Sequence, residues 1–252
     1  MNDFATPAIS PVGDGPGLTQ GQRLIYVFTA PSKTFQDIKR STSWWLPFII
    51  TAIFGYALFF GIQTKVGWEQ VAENNIKSNP RQAEQMEKAP PEQRATSMKF
   101  AVLITKGIFI AMPVLSLVIV AVTSGVLLLT INFGFGGKAS FWEVFAVSWY
   151  AGLPGLIKFL LGTVALFAGL APESFNTQNF GGTNIGYYLP PDTAKPLMSL
   201  ATSLDVVTIW SLALTAIGLS IVAGTKRSSG YIAVFAWWAI IVLGSVGFAA
   251  AF

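Results

Sequence analysis

Four long stretches of the sequence contain no charged residue: 24 residues over 41–64, 31 over 107–137, 20 over 206–225 and 25 over 228–252. A lipid core about 30 Å thick is crossed by about 20 apolar residues in a helix, because only there are all backbone groups bonded within the segment. A fifth run, 144–172, is as apolar but is divided by Lys158. The spacing predicts membrane spans over 44–64, 107–131, 144–170, 204–224 and 231–251. The expected fold is an all-α, polytopic helix bundle with five transmembrane helices and short interfacial helices. Apolar–polar alternation, the signature of a membrane barrel, is absent.

Composition narrows the chemistry. With 52% hydrophobic and 11% charged residues the chain is too apolar for an ordinary soluble domain. Having His 0 and Cys 0, it has no imidazole base, thiol nucleophile, disulfide or thiolate metal site. No catalytic, cofactor-binding or metal-ligating residues are expected, and the chain does not read as an enzyme. A net charge of +4, scattered along the sequence, does not point to nucleic acid. Residues 1–43 hold no apolar core of a secretory signal, so the first span is expected to stay in the protein.

Outside the spans, residues 1–17 are rich in Pro and Gly and read as a solvated tail. Over 18–43, Thr19 is a candidate helix cap before Leu24, Ile25, Val27 and Phe28, and Pro31 can open a second helix carrying Phe35 and Ile38. Two forms fit this pattern: an interfacial amphipathic pair or a helical hairpin. Trp44 and Trp45 mark the water boundary of the first span.

Residues 65–106 hold seven Lys/Arg and five Glu. Glu73 with Lys77 and Glu84 with Lys88 have the i,i+4 order of an exposed helix, and Asn79-Pro80 and Pro91 are helix starts. Nothing interrupts the pattern from Pro91 into the second span, so that helix is expected to project beyond the membrane. The turn 132–140 is Gly-rich, yet Asn132 and Ala139 stand where a phosphate loop needs Gly and Ser/Thr. The stretch 170–203 reads as a polar connector. Residues 225–230 are a short turn, which makes the last two spans antiparallel neighbours. Ala216, Ser220 and Gly224, and likewise Gly244 and Gly247, offer small surfaces for helix packing.

Two charges sit where lipid is expected, and an ionisable group at mid-bilayer costs at least about 2.5–3.5 kcal/mol. For Lys158 two arrangements are open. Gly152, Pro154 and Gly155 can break the run into an oblique half-helix and a true span, with Lys158 one turn in and reaching outward; or Lys158 is deep and paired with an acid. Residues 141–170 number 30, about 45 Å of helix, which favours the break and an outward-reaching lysine. Asp205 is placed at a helix N-terminus, where the dipole stabilises a carboxylate.

Several of these pieces together resemble a known family. Tyr26-Val27-Phe28, Pro31, Thr34-Phe35 and Ile38, then Trp44-Trp45-Leu46-Pro47, then Tyr150 with Pro154 four residues on, then the run from Ser203 to Trp210, are similar to the Yip family of Ypt/Rab-GTPase-interacting multispan membrane proteins, in its bacterial branch. The resemblance implies five membrane helices, a cytoplasmic N-terminal region, a C-terminus at the opposite face, and a non-enzymatic organiser or adaptor in a bacterial cytoplasmic (inner) membrane. Its partners would be the lipid bilayer and other membrane proteins or further copies of the chain. The chain lacks the Asp-Leu-Tyr-Gly-Pro-like stretch of eukaryotic members and has Trp149 in place of a Gly, so Rab-type GTPase binding is not carried over. Short loops give the inner side three Lys/Arg (Lys138, Lys226, Arg227) against Lys195 outside, which agrees with an inner N-terminus. The candidate intramembrane residues are Lys158, Asp205, Tyr150 and Pro154. The competing function is a small-solute transporter or channel with Lys158 and Asp205 in a polar pathway.

Overall fold

A computed structural model describes residues 17–190 and 193–251. The tail expected over 1–17 therefore lies outside the described residues except for Gly17. The fold is all-α. Helices α1 (Gln20–Thr29) and α2 (Pro31–Ile38) form a hairpin; α3 (Trp45–Lys65) is the first span; α4 (Trp68–Lys77) and α5 (Pro80–Lys88) follow outside it. Next come α6 (Pro91–Leu129), α7 (Phe141–Ala151), α8 (Leu156–Phe167), α9 (Lys195–Ser203), α10 (Val206–Ala223) and α11 (Arg227–Ala251). Five units are long and apolar enough to cross a bilayer: Trp45–Lys65, Pro91–Gly134, Phe141–Phe167, Val206–Ala223 and Arg227–Ala251. The protein is an integral, multi-pass membrane protein. The outward faces agree: on α6 alone Leu103, Ile104, Val114, Val118, Ile119 and Val122 are exposed, a face that only lipid can cover.

The second span differs most from its expected bounds, because Pro91 opens a helix that nothing interrupts before Leu129, where it loosens into the wider turn Thr130–Gly134. Its first turns project past the end of α3, as the sequence implied. Here α4 lies against the bundle, burying Trp68, Val71 and Ala72, while Asn74 donates from its amide to the carbonyl oxygens of Pro172 and Phe175. Glu73 and Lys77 pair at 2.7 Å on the exposed side. These helices form a platform at one end of the bundle.

The hairpin caps the other end. Thr19 and Gln22 cap α1 reciprocally, and Pro31 opens α2. Of the two forms open to 18–43 the structure has the hairpin, with Val27, Phe35 and Ile38 sealed into the main core against α7 and α10. Gly218 makes this approach possible: a Cβ there would lie 2.5 Å from Val147 and 2.9 Å from Phe35. Trp44 stacks with Trp149 and meets Phe145 edge-on, fixing the start of α3 to α7.

The antiparallel pair of α10 and α11 is built on Ala216 and Ser220, both buried, with Gly230 of α11 seated against them. Gly224 has another task. It ends α10 in the left-handed conformation (φ 67°), its N–H returning to Ile221 and Ser220 carbonyls. The packing role expected of Gly244 and Gly247 is not found among the described residues: a Cβ on either would meet nothing within 4 Å.

Candidate functional site

The third spanning unit is discontinuous, and a break also separates the fourth, α10, from α9 before it. In the third, α7 ends at Ala151, Leu153–Gly155 forms one tight turn, and α8 starts at Leu156. Pro154 cannot continue the α-helical hydrogen bonding of α7, and a Cβ on the preceding Gly152 would lie 3.2 Å from Ser148 O. Before the fourth, α9 ends at Ser203, and Asp205 adopts an extended conformation (φ −109°, ψ 120°) ahead of α10. Lys158 is one turn past the first break and Asp205 is at the second.

The depth of Lys158 follows from register. Gly61 of α3 faces Leu166, and Leu58 faces Gly162, so α3 and α8 run side by side in the same direction and in step. Lys158, one turn before Gly162, is thus level with the middle of α3. At that depth an ammonium needs a partner, and it has one. Lys158 Nζ lies 2.9 Å from Asp205 Oδ1 and donates to Thr208 Oγ1 at 2.9 Å. The expectation that Lys158 reaches outward is corrected: the break is present as expected, but it delivers the lysine to an acid. Sequence length alone could not show this, because the partner is supplied by a second break 50 residues away.

Asp205 is 3% exposed and fully engaged. Its Oδ1 accepts the Thr208 amide at 2.7 Å as a helix cap, its Oδ2 accepts the Thr183 hydroxyl, and the Val206 amide donates to Thr183 O at 3.1 Å. Hydrogen bonds from Thr183 and the Thr208 amide, together with the Lys158 ammonium, offset the cost of burying its carboxylate. Thr183 arrives on the loop after α8, which folds back along that helix. A Cβ on Gly162 would lie 2.5 Å from the Phe180 ring, and one on Gly181 3.1 Å from Lys158 Cβ. The loop read as a connector is thus a wall of the site. Asn179 and Asn184 bond each other and Asn184 accepts the Tyr187 amide, which fixes its shape.

Tyr150 belongs elsewhere. Its hydroxyl donates to Gln20 Oε1 at 2.6 Å, joining α7 to the start of the hairpin. Beside it is a second buried pair, Arg23 Nε to Asp37 Oδ2 at 2.7 Å, with the residues 2% and 8% exposed. Arg23 also donates to Asp37 O at 3.2 Å, Thr34 to Arg23 O at 3.2 Å, and the Leu18 amide to Asp37 Oδ1 at 3.2 Å. The four candidates therefore divide. Lys158 and Asp205 form one site; Pro154, buried, creates the break that precedes it; Tyr150 serves the hairpin. Sequence reasoning missed Thr183, Thr208, Arg23 and Asp37. Arg23 and Asp37 did carry a signal, being opposite charges inside an otherwise apolar helical pattern, 14 residues apart across a Pro turn.

The model of the Yip1 domain family matches residues 25–248. No curated protein and no solved structure matches the chain.

Proposed function

The chain belongs to the Yip1 domain family, and from that premise we propose that it is a non-enzymatic membrane scaffold or adaptor that organises membrane or partner proteins. The observation that carries this is the hairpin of α1 and α2. A buried ion pair holds its two helices together, and the Tyr150 bond, the core packing and the edge contact of Phe28 with Trp210 fix it to the bundle, so it is a fixed surface, and it still presents Ile25 and part of Phe28 to the outside. A rigid, partly apolar surface can recruit a partner without paying much ordering entropy. Partner proteins or further copies of the chain would meet it there or at the platform. We further propose a bacterial cytoplasmic membrane with the hairpin end inside, which the cations of the short loops support. Because the sequence has Cys 0, a single cysteine placed at Lys138 or at Thr177 reports sidedness to a membrane-impermeant thiol reagent without background.

A second function, solute transport, has its own support: two helix breaks meet at a charge pair near mid-depth, the usual place of a transporter site. One experiment separates the two. Full-length protein is reconstituted in liposomes for flux and, in parallel, isolated with its complex from native membranes. The adaptor predicts a defined complex that is lost in Ile25→Ser/Phe28→Ser, with no flux. Flux that disappears in Lys158→Leu would overturn it.

A further inference from the structure

The two ends of the bundle carry charge differently. At the platform, acids and bases are interspersed and Glu73–Lys77 and Glu84–Lys88 neutralise each other. At the hairpin end, the described acids are Asp37 and Glu143, and both are engaged. Asp37 is buried under Arg23, and Glu143 accepts from the Ser140 amide and hydroxyl at 2.7 Å as part of a helix cap. The cations there other than Arg23 are exposed. The fold gathers four of them around the C-terminal end of α10, from three separate parts of the sequence. Lys138 is brought in by its own amide, which donates to Ala223 O at 3.0 Å. Lys226 and Arg227 form the turn that follows, and Arg227 donates to Ser32 Oγ at 3.1 Å, which brings this turn to the start of α2, where the next residue, Lys33, holds its Nζ over the Tyr26 ring at 5.4 Å. Among the described residues none of the four is in an ion pair.

Their depth is given by their neighbours. Phe133, on the same turn as Lys138, is 86% exposed, and Trp142, just after it, is 56% exposed. Tyr231, one turn past Arg227, and Trp45 at the start of α3 are also exposed. Exposed aromatic rings at the end of a bundle sit at the headgroup level of a bilayer. The four cations are therefore at the height of lipid phosphates, and among the described residues no acid pairs with them. The negative end of the α10 dipole favours holding cations at this place.

We propose that this cluster, Lys33, Lys138, Lys226 and Arg227, is a binding site for the headgroup of an anionic phospholipid. The occupant is identified by charge complementarity at headgroup depth. A phosphate monoester free in solution would have the charge but not the acyl chains that the exposed ring of Phe133 and the apolar flank of α11 would meet.

The test uses the full-length protein in a neutral detergent, incubated with phosphatidylglycerol or phosphatidylcholine vesicle lipid and examined by native mass spectrometry. Phosphatidylglycerol should be retained in preference, with occupancy falling as salt is raised and roughly fivefold weaker for each cation removed. Lys138→Gln/Lys226→Gln is the first variant, since neither side chain has a recorded bond whose loss could disturb folding; the fourfold Gln variant is the second, and Lys138→Arg/Lys226→Arg should restore binding. Lys77→Gln/Lys88→Gln, at the platform, should bind as the parent does. Equal retention of the two lipids, unchanged binding in Lys138→Gln/Lys226→Gln, an equal loss in the platform variant, or full displacement by inorganic phosphate would each overturn the proposal.

Discussion

The pair of Lys158 and Asp205 gives the sharpest quantitative expectation. Asp205→Asn keeps a side-chain oxygen able to cap Thr208, so its main effect is to leave Lys158 without a counter-charge at mid-depth. Breaking a buried pair by removing one partner costs about 3–5 kcal/mol. Lys158 keeps 31% of its side chain exposed, which moves the expected loss to about 2–3 kcal/mol. Lys158→Leu leaves the buried Asp205 carboxylate with the Thr183 and Thr208 bonds but no cation, for a loss of about 2 kcal/mol. The double variant Lys158→Leu/Asp205→Asn has no unpaired charge, so it should lie within about 1 kcal/mol of the parent, a coupling of about 3 kcal/mol. The assay is unfolding in mixed micelles of rising dodecyl sulfate content, followed by far-ultraviolet circular dichroism. Additive losses, with coupling below about 0.5 kcal/mol, would show that the two charges do not depend on each other and would refute the placement.

Other outcomes follow from the same contacts. Gly230→Val should disrupt the pairing of α10 and α11 by about 1–3 kcal/mol or more, since the new Cβ would press on Ala216 O and lie 3.0 Å from Ser220 Cβ; Gly244→Val, on an open face, should be nearly silent in the same assay. Arg23→Ala should leave the buried Asp37 carboxylate with Arg40, 3.8 Å away, as its cation and loosen the two hairpin helices, at about 2–4 kcal/mol, seen as new proteolytic cuts within 18–43 while the spans stay protected.

The spans were legible because lipid leaves the backbone one solution, and the absence of charge over some 20 residues is a signal that no tertiary contact overrides. The break at Gly152–Gly155 was legible for the same reason, being local stereochemistry. The pair it serves was not. Lys158 and Asp205 meet only because α8 runs in step with α3 and α10 begins at the same depth, and neither register is written in any short window. Small residues marked helix contacts correctly at Ala216 and Ser220 but not at Gly244 and Gly247, since composition shows that a close approach is permitted without showing that a neighbour makes it. The loop over 170–203 misled because its Asn, Gly and Thr residues look like solvated connector, whereas Gly181 is there to let the loop touch Lys158 and Thr183 to bond Asp205.

The two breaks and the charge pair solve one problem together. A helix interrupted at membrane depth frees backbone amides that lipid cannot satisfy, and each freed group costs several kcal/mol. Asp205 answers this for α10 by capping Thr208, but a carboxylate so deep needs a cation and a hydroxyl of its own. Lys158 and Thr183 are those groups, and Lys158 is brought to the right depth only by the break at Pro154. The ion pair, the helix cap and the two threonine contacts together join the two half-spans. A transport pathway would need this pair to open, so the coupling of the two charges should fall when a transported solute is present. For an adaptor it should stay the same in any solute, and only the hairpin variants should change what the protein assembles with.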